Sequence, residues 1–309
     1  MKLPKVSLLI PVFNGEKYIS EALESALNQT YSNLEIIVHD DASTDKTLKI
    51  LKSYKDHRLK IIHTKINHGM IGGWNFITQK ASGKWIKHLA ADDLLEPDCV
   101  EKLVNAAQKN PHACIITCKR KFIDYSGKLL YQLQFARKDM ETSGPKLARQ
   151  ILLQIRENKI GEPTAVLFRK QDFLKAGMFD PAFSQFADFE LWARLLEYGD
   201  LAYVNKSLCS FRVHPESNTL KAIRDGRFID EIFLLIEKYY ESPRYRKVFN
   251  FSTRDRDRAI RIKVLDTLKN IKDLAAAGNF NRAVSYFNRL SKSTRLTCIA
   301  QITIRHLLR

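Results

Sequence analysis

The chain has 309 residues, a mass of 35.7 kDa and a net charge of +17, so it can form one large domain or two smaller ones. Its hydrophobic content of 45% excludes a mainly disordered chain, and its longest apolar stretch is far shorter than the roughly 20 residues of a membrane span. The five cysteines are scattered and odd in number, which argues against a disulfide framework. We therefore expect a cytoplasmic protein, either soluble or peripheral at the inner face of the cell membrane.

The first 120 residues alternate between strand-like and helix-like patterns. Buried strands are predicted at 6–12, 34–40, 59–64, 85–90 and 113–118. Helices are predicted at 16–29, 43–54, 72–81 and 96–108. Strands that alternate with helices of this length indicate βαβ units and a mostly parallel, doubly wound α/β sheet.

After residue 119 the pattern changes. Short antiparallel strands are expected at 121–125 and 129–135. A helix at about 145–157 is followed by a strand, a helix and a strand at 164–168, 186–198 and 208–213. From residue 220 the pattern is helical throughout, and residues 274–290 predict a helical hairpin with Gly278 in its turn.

The positive charge is concentrated near the C-terminus. Residues 221–309 carry 20 Lys and Arg against nine Asp and Glu, whereas residues 1–220 carry 31 against 25. Such asymmetry suggests an anionic partner, which could be a membrane surface, a nucleic acid or a phosphorylated substrate. Residues 295–309 have an apolar and a basic face, which favours a C-terminal helix that lies on anionic membrane or packs on the hairpin or a second subunit.

Acidic and polar side chains follow three of the predicted parallel strands. Residues 11–16 follow the first strand, Asp40 and Asp41 end the second, and Asp92 and Asp93 follow the fourth. Ligands of parallel sheets bind beyond the carboxyl ends of the strands. Each Asp pair alone could be a turn former, but together these carboxylates would repel one another unless a hard cation such as Mg²⁺ or Mn²⁺ lay among them. No Walker loop, GxGxxG fingerprint or GxSxG elbow is present, so dinucleotide-binding and hydrolase functions lose support.

Four segments together resemble the inverting nucleotide-sugar glycosyltransferases of family 2, which have the GT-A fold. They include the motifs VSLLIPVFN, DDASTD, AADD, FADFELW and FRVHPESNT, and they span residues 6–45, 67–93, 186–200 and 211–219. The resemblance implies a GT-A catalytic domain with a Rossmann-like sheet in residues 1–219. Residues 220–309 would then form a basic helical C-terminal region outside the resemblance.

The resemblance also implies roles for individual residues. The nucleotide sugar would be bound by Pro11, Val12, Phe13, Asn14, Glu16, Asp40, Asn75 and Asp92, and among these Asp40 would accept a hydrogen bond from the base. Asp93 and His214 would hold the divalent metal, Mn²⁺ or Mg²⁺. Asp188 would be the catalytic base that takes the proton of the acceptor hydroxyl.

Two positions depart from the family pattern. Ala90 stands where the family commonly has the first Asp of its DxDD motif, and Trp74 stands where many members have an Arg. The second departure puts the phosphate contacts in doubt, although Arg212 or Arg194 could replace the missing cation. Residues 161–164 could shape the acceptor pocket or form a simple turn.

The resemblance therefore implies a metal-dependent inverting enzyme. It would transfer a hexosyl or N-acetylhexosaminyl group from a nucleoside-diphosphate sugar, by default a UDP-sugar, to a glycan or lipid-linked acceptor in cell-surface glycan or lipid-linked oligosaccharide biosynthesis. The alternative is a non-catalytic nucleic-acid-binding protein that uses the basic C-terminal region. No zinc finger or RNA-recognition signature supports this alternative, so we expect no specific nucleic-acid partner.

Overall fold

The computed structural model describes residues 3–155, 158–217 and 225–294. Within these ranges the chain folds into two compact units. The first unit holds the described residues of Met1–Gly144 and Asn158–Val213, and the second unit holds those of Pro145–Glu157 and His214–Arg309. The predicted boundary lies slightly later, after residue 219, and the predicted first domain includes residues 145–157.

The first unit is built on one mixed α/β sheet. In the described part of the chain its strands are β1 (Val6–Val12), β2 (Leu34–Asp41), β3 (Leu59–Thr64), β4 (Trp85–His88), β5 (Leu94–Leu95), β6 (Ala113–Ile123), β7 (Leu129–Leu133), β8 (Met140–Thr142), β9 (Val166–Arg169) and β10 (Asp200–Arg212). The helices of this unit are α1 (Ile19–Leu27), α2 (Thr47–Ser53), α3 (Gly69–Lys80), α4 (Cys99–Lys109), α6 (Lys170–Ala176) and α7 (Ala187–Leu195), while α5 (Gly144–Gln154) belongs, after its first residue, to the second unit.

The strand order brings the predicted site together. It is β3-β2-β1-β4-β9-β6-β10-β5, with β7 paired to β6 and β8 paired to β10. β1 pairs in parallel with β2 and β4, and β2 pairs in parallel with β3, which confirms the predicted βαβ arrangement. β9 runs antiparallel between β4 and β6, so the sheet is mixed beyond this point. The carboxyl ends of β1, β2 and β4 therefore lie side by side at one edge, where ligands bind in such folds.

Apolar burial explains why this half of the sheet could be predicted. Val6, Leu8 and Ile10 of β1 are fully buried and share a core with Ile36 of β2 and Leu23 of α1. In α1 the buried residues recur every three or four positions, as an amphipathic helix requires. A strand that is buried on both faces has a nearly continuous apolar sequence, which is the pattern of residues 6–12.

In the second half of the sheet, two of the predicted strands are parts of longer strands. The strand predicted at 121–125 is the end of β6, which continues from Ala113 without a break. The strand predicted at 208–213 is the end of β10, which begins at Asp200. β10 contains irregular register between Val204 and Cys209, and these irregularities interrupt the alternation on which the prediction depended.

The second unit is helical in its described residues. Besides α5 it contains α8 (Arg227–Tyr240), α9 (Pro243–Val248), α10 (Thr253–Ala276) and α11 (Phe280–Thr294). Gly278 joins α10 to α11 with a φ of 76°, which confirms the predicted hairpin. Ser252 and Asp255 form a capping box that starts α10.

One prediction concerns residues 295–309, and another concerns membrane-spanning helices. The amphipathic helix predicted at 295–309 lies outside the described residues. Among the helices in the described ranges, none has both the length and the apolar character that crossing a bilayer would require.

Candidate active site

The loops that follow β1 and β2 hold each other in place. The amide of Asn14 donates to Ser43 Oγ at 2.9 Å, and Asn14 Oδ1 accepts from the amide of Thr44 at 2.8 Å. The amide of Glu16 donates to Asp45 Oδ2 at 3.0 Å. Asn14 has a φ of 51°, a left-handed conformation that asparagine tolerates better than most residues. The polar side chains of this pair of loops thus fix the backbone at the edge of the sheet.

The predicted donor residues of the first loop differ in exposure. Val12 is buried, Pro11 is half-buried, and Phe13 is 52% exposed. Glu16 accepts a hydrogen bond from the amide of Lys46 at 2.9 Å, so its carboxylate helps to join the two loops. Phe13 is therefore the member of this group that offers an open apolar surface to a ligand.

Asp40 ends up at the carboxyl end of β2, as predicted. Its side chain is fully buried, and its Oδ2 lies 2.9 Å from Nδ1 of His63 on β3. The His63 side chain is 37% exposed, so it forms the accessible side of this pair. His63 is not among the predicted site residues, although its place opposite Asp40 in the register of parallel strands provides a signal.

The two adjacent carboxylates after β4 have different environments. Asp93 is 1% exposed, and its two oxygens accept hydrogen bonds from Thr164 Oγ1 at 2.6 Å and from the amide of Arg212 at 2.9 Å. Burial, followed by the charge of Asp92, raises the pKa of Asp93 well above its usual value. Asp92 is half-buried. Asp93 therefore braces the loop from inside and Asp92 is the more accessible of the two carboxylates, while the metal-binding role predicted for Asp93 stays a prediction.

Neither arginine named as a substitute phosphate ligand is free for that task. The Arg212 guanidinium is buried, where it donates to the carbonyl of Asp92 at 2.8 Å and to Glu21 Oε2 at 2.7 Å. Arg194 is held by both carboxylate oxygens of Glu190, at 2.7 and 2.5 Å. Both arginines stabilise the local fold, and their replacement of a missing phosphate contact stays a prediction.

Asn75 also has a structural role. Its Nδ2 donates to the carbonyl of Phe179 at 2.9 Å, and its Oδ1 accepts from the amide of Phe179 at 2.9 Å. Trp74 packs against His88 and Phe179, with ring centroids 4.7 and 5.5 Å apart. Both ends of the Asn75 amide thus bind the backbone, and the donor contact predicted for Asn75 stays a prediction.

Asp188 lies in the first turn of α7. Its Oδ2 accepts a hydrogen bond from Asn158 Nδ2 at 2.9 Å, and its Oδ1 accepts from the amide of Phe189 at 2.7 Å. Burial of the carboxyl group, and after it the negative charge of Glu162, raise the pKa of Asp188 to about 7. A carboxylate in this state can accept a proton near neutral pH, which an ordinary aspartate does poorly.

Residues 158–164 connect Asp188 to Asp93. At one end of this loop Asn158 binds Asp188, and at the other end Thr164 binds Asp93. In between, the carbonyl of Gly161 accepts from Trp192 Nε1 at 2.9 Å. Residues 161–164 could from their sequence shape the acceptor pocket or form a simple turn, and their hydrogen bonds make them a brace that positions both carboxylates.

His214, the other predicted metal ligand, begins the second unit. It is buried, and the carbonyl of His214 accepts a hydrogen bond from the amide of Ser217 at 3.0 Å. Its role at a metal stays a prediction.

Comparison with known proteins identifies the class to which this arrangement corresponds. The family model Glycosyl transferase family 2 matches residues 7–175. An uncharacterized glycosyltransferase of Rickettsia typhi is 34% identical over 222 residues, covering 71% of this chain and 67% of that protein. The chondroitin synthase of Escherichia coli is 32% identical over 256 residues, covering 78% of this chain but 35% of the synthase.

A solved structure agrees over a longer range. The crystal structure of S. aureus TarS 1–349 in complex with UDP-GlcNAc has a TM-score of 0.65 at 17% identity, and the match covers 94% of this chain and 91% of that one. A likeness at this identity shows the fold alone. The fold is of the GT-A type, with a mixed, mostly parallel α/β sheet and C-terminal helices, as the sequence predicts.

Proposed function

Because the chain belongs to glycosyl transferase family 2, whose members use nucleotide-sugar donors, we propose that it transfers a sugar from a UDP-sugar to an acceptor hydroxyl with inversion. The observation that carries this proposal is the environment of Asp188. A single carboxylate with a pKa of about 7 suits the one proton transfer that direct displacement needs.

Asp188 acts as the general base in this proposal. Asn158 Nδ2 donates a hydrogen bond to one carboxylate oxygen, so a neutral donor fixes the orientation of the group. The acceptor hydroxyl loses its proton to Asp188 as its oxygen attacks the anomeric carbon from the face opposite the leaving diphosphate. A raised pKa makes Asp188 a stronger base once it is ionised, which lowers the barrier to this proton transfer.

The donor would lie across the carboxyl ends of β1, β2 and β4. The exposed ring of Phe13 offers a surface against which a base can pack, and the Asp40–His63 pair offers polar atoms to its edge. The similarity to a protein solved with UDP-GlcNAc supports uridine as the base and an N-acetylhexosamine as the sugar. Pro11, Val12, Asn14 and Glu16 would then shape the pocket through the backbone that they fix.

A divalent cation fits this site through Asp92. The half-buried Asp92 carboxylate lies next to Asp93, whose buried oxygens are used within the protein. Carboxylate oxygens are the ligands that Mg²⁺ and Mn²⁺ prefer. When bound, such a cation would neutralise charge on the leaving diphosphate. His214 remains a proposed second ligand.

The acceptor would be a glycan or a lipid-linked saccharide. The similarity to a bacterial chondroitin synthase supports a glycan acceptor and a role in cell-surface polysaccharide assembly. The excess of Lys and Arg in residues 221–309 supports work at the inner face of the cell membrane, where anionic lipids attract basic segments.

A thermal-stability screen of nucleotide sugars tests the proposed donor. UDP-sugars with Mn²⁺ should raise the melting temperature, because a ligand at one hundred times its Kd stabilises the folded state by about 2.7 kcal/mol. CDP- and GDP-sugars serve as controls for the base, and EDTA serves as a control for the metal. If no nucleotide sugar changes the melting temperature while arbitrary DNA binds with strong salt dependence, the nucleic-acid alternative replaces this proposal.

A further inference from the structure

His39, Asp41 and His68 form a cluster that the proposed transfer reaction does not use. His39 and Asp41 are two residues apart on β2, so their side chains leave the strand on the same face, whereas Asp40 leaves it on the other. His68 directly precedes α3. One potential ligand atom from each of the three residues lies within 4.8 Å of the other two.

The spacing of these atoms is close to that of a tetrahedral metal site. Asp41 Oδ1 lies 2.7 Å from His68 Nδ1 and 3.6 Å from His39 Nε2. With metal–ligand bonds of about 2.0–2.2 Å, neighbouring ligand atoms of a tetrahedral zinc site are about 3.3 Å apart. Small side-chain rotations would therefore bring all three atoms to bonding distance of one ion.

The cluster is buried on the side of His39 and open to solvent on the side of His68. His39 is fully buried; its Nε2, the nitrogen that faces Asp41, lies 3.0 Å from Thr64 Oγ1, and its Nδ1 has no hydrogen-bond partner among the described residues. Phe76 packs on both imidazoles, with ring centroids 4.6 Å from His39 and 5.1 Å from His68. The His68 side chain is 34% exposed, which leaves a path from solvent.

Gly73 of α3 adds to this arrangement. A Cβ at this position would lie 3.5 Å from Asp41 Oδ2 and 3.6 Å from His39 Nδ1. Both distances are ordinary van der Waals contacts, so the backbone of α3 at Gly73 lies close to these two polar atoms.

We propose that His39, Asp41 and His68 bind a divalent cation of the zinc class. Two imidazole nitrogens and one carboxylate oxygen are a donor set for Zn²⁺ or Co²⁺, whereas Mg²⁺ and Mn²⁺ prefer oxygen ligands. A bound ion would join the end of β2 to the start of α3 and would be reached from solvent on the side of the partly exposed His68. This site is separate from the cation proposed at Asp92, and it does not depend on the transferase function.

Titration of the untagged protein with Zn²⁺, and with Co²⁺ followed by visible absorption, tests this site. Asp92→Ala serves as the background, because it removes the carboxylate proposed for the donor metal. In this background we expect one equivalent of tightly bound Zn²⁺ and a tetrahedral Co²⁺ spectrum. Adding His68→Gln should weaken Zn²⁺ binding at least about tenfold and remove the spectrum.

Two controls keep this result interpretable. His57→Gln changes a histidine that is 90% exposed and lies outside the cluster, so Zn²⁺ binding should not change. We call the Asp92→Ala protein the parent. The circular dichroism spectrum of the variant that also carries His68→Gln should match that of the parent, and Zn²⁺ should raise the melting temperature of the parent alone. Equal Zn²⁺ affinity in the parent and His68→Gln would overturn the proposal, as would the absence of stoichiometric binding in the parent, whatever the outcome of the donor screen.

Discussion

We call the carboxyl ends of β1, β2 and β4, where the donor is proposed to bind, the donor edge of the sheet. This edge and the loop of residues 158–164 use carboxylates in opposite ways. At the donor edge, burial alone would raise the pKa of Asp45, but hydrogen bonds from Thr47 and from the amide of Glu16 lower it. Beside the 158–164 loop, burial raises the pKa of Asp188 and Asp93. At the donor edge, the hydrogen bonds keep Asp45 charged, and Asp45 in turn organises the backbone. Beside the 158–164 loop, burial disfavours the charged carboxylate, and the resulting high pKa allows Asp188 to accept a proton near neutral pH.

Changing Asp188 to Asn should separate the two regions most clearly. Asparagine keeps the shape of the side chain but cannot take a proton, so we expect the transfer rate to fall by roughly 10²-fold or more. Donor affinity, measured by calorimetry with the UDP-sugar selected in the stability screen, should stay within about twofold. Loss of donor binding would instead assign Asp188 to the donor edge.

Asp92 and Asp93 are a matched pair for the second comparison. Asp92→Ala should weaken Mn²⁺-dependent UDP binding by about tenfold with little change in unfolding free energy. Asp93→Ala should lower the unfolding free energy by about 2–4 kcal/mol, because it leaves the hydroxyl of Thr164 and the amide of Arg212 without their buried acceptor. Denaturant unfolding and calorimetry of both variants measure these effects, and a stable Asp93→Ala that loses only metal binding would restore the original metal role of Asp93.

The raised pKa of Asp188 also predicts a pH dependence of stability. The folded state binds this proton more tightly than the unfolded state does, so this group makes folding less favourable as pH rises from about 4 to about 7. Asp188→Asn removes that contribution, and its stability relative to wild type should therefore increase over this range. Urea unfolding at a series of pH values checks this, and parallel curves for the two proteins would contradict the assigned pKa.

Glu162→Gln should have a smaller effect on the same group. The charge of Glu162 contributes to the raised pKa of Asp188, so its removal should lower that pKa. The midpoint of the pH–rate profile should move to lower pH by less than one unit, with the rate at high pH nearly unchanged. An unchanged midpoint would mean that burial alone sets the pKa of Asp188.

The sequence predicts the donor half of the molecule better than the other half. Strands β1 and β2 are buried and largely apolar, and Asp40 and Asp92 follow from their places at strand ends. The role of Asp93 could not be read in this way, because its partners Thr164 and Arg212 lie 71 and 119 residues away in the chain. The same holds for Asn75, whose partner Phe179 lies 104 residues away. Which of two adjacent carboxylates faces the interior depends on such distant contacts and not on local pattern.

The pH–rate profile of the wild-type protein tests the central claim most directly. With the selected UDP-sugar and an acceptor at saturation, kcat should rise with pH through a midpoint near 7, because Asp188 must be ionised to accept the proton of the acceptor hydroxyl. Asp188→Asn should retain a small residual rate without this transition. A base with a pKa of about 7 titrates almost completely between about pH 5.5 and about pH 8.5. A wild-type rate that stays constant over this range would contradict the assignment of Asp188 as the base.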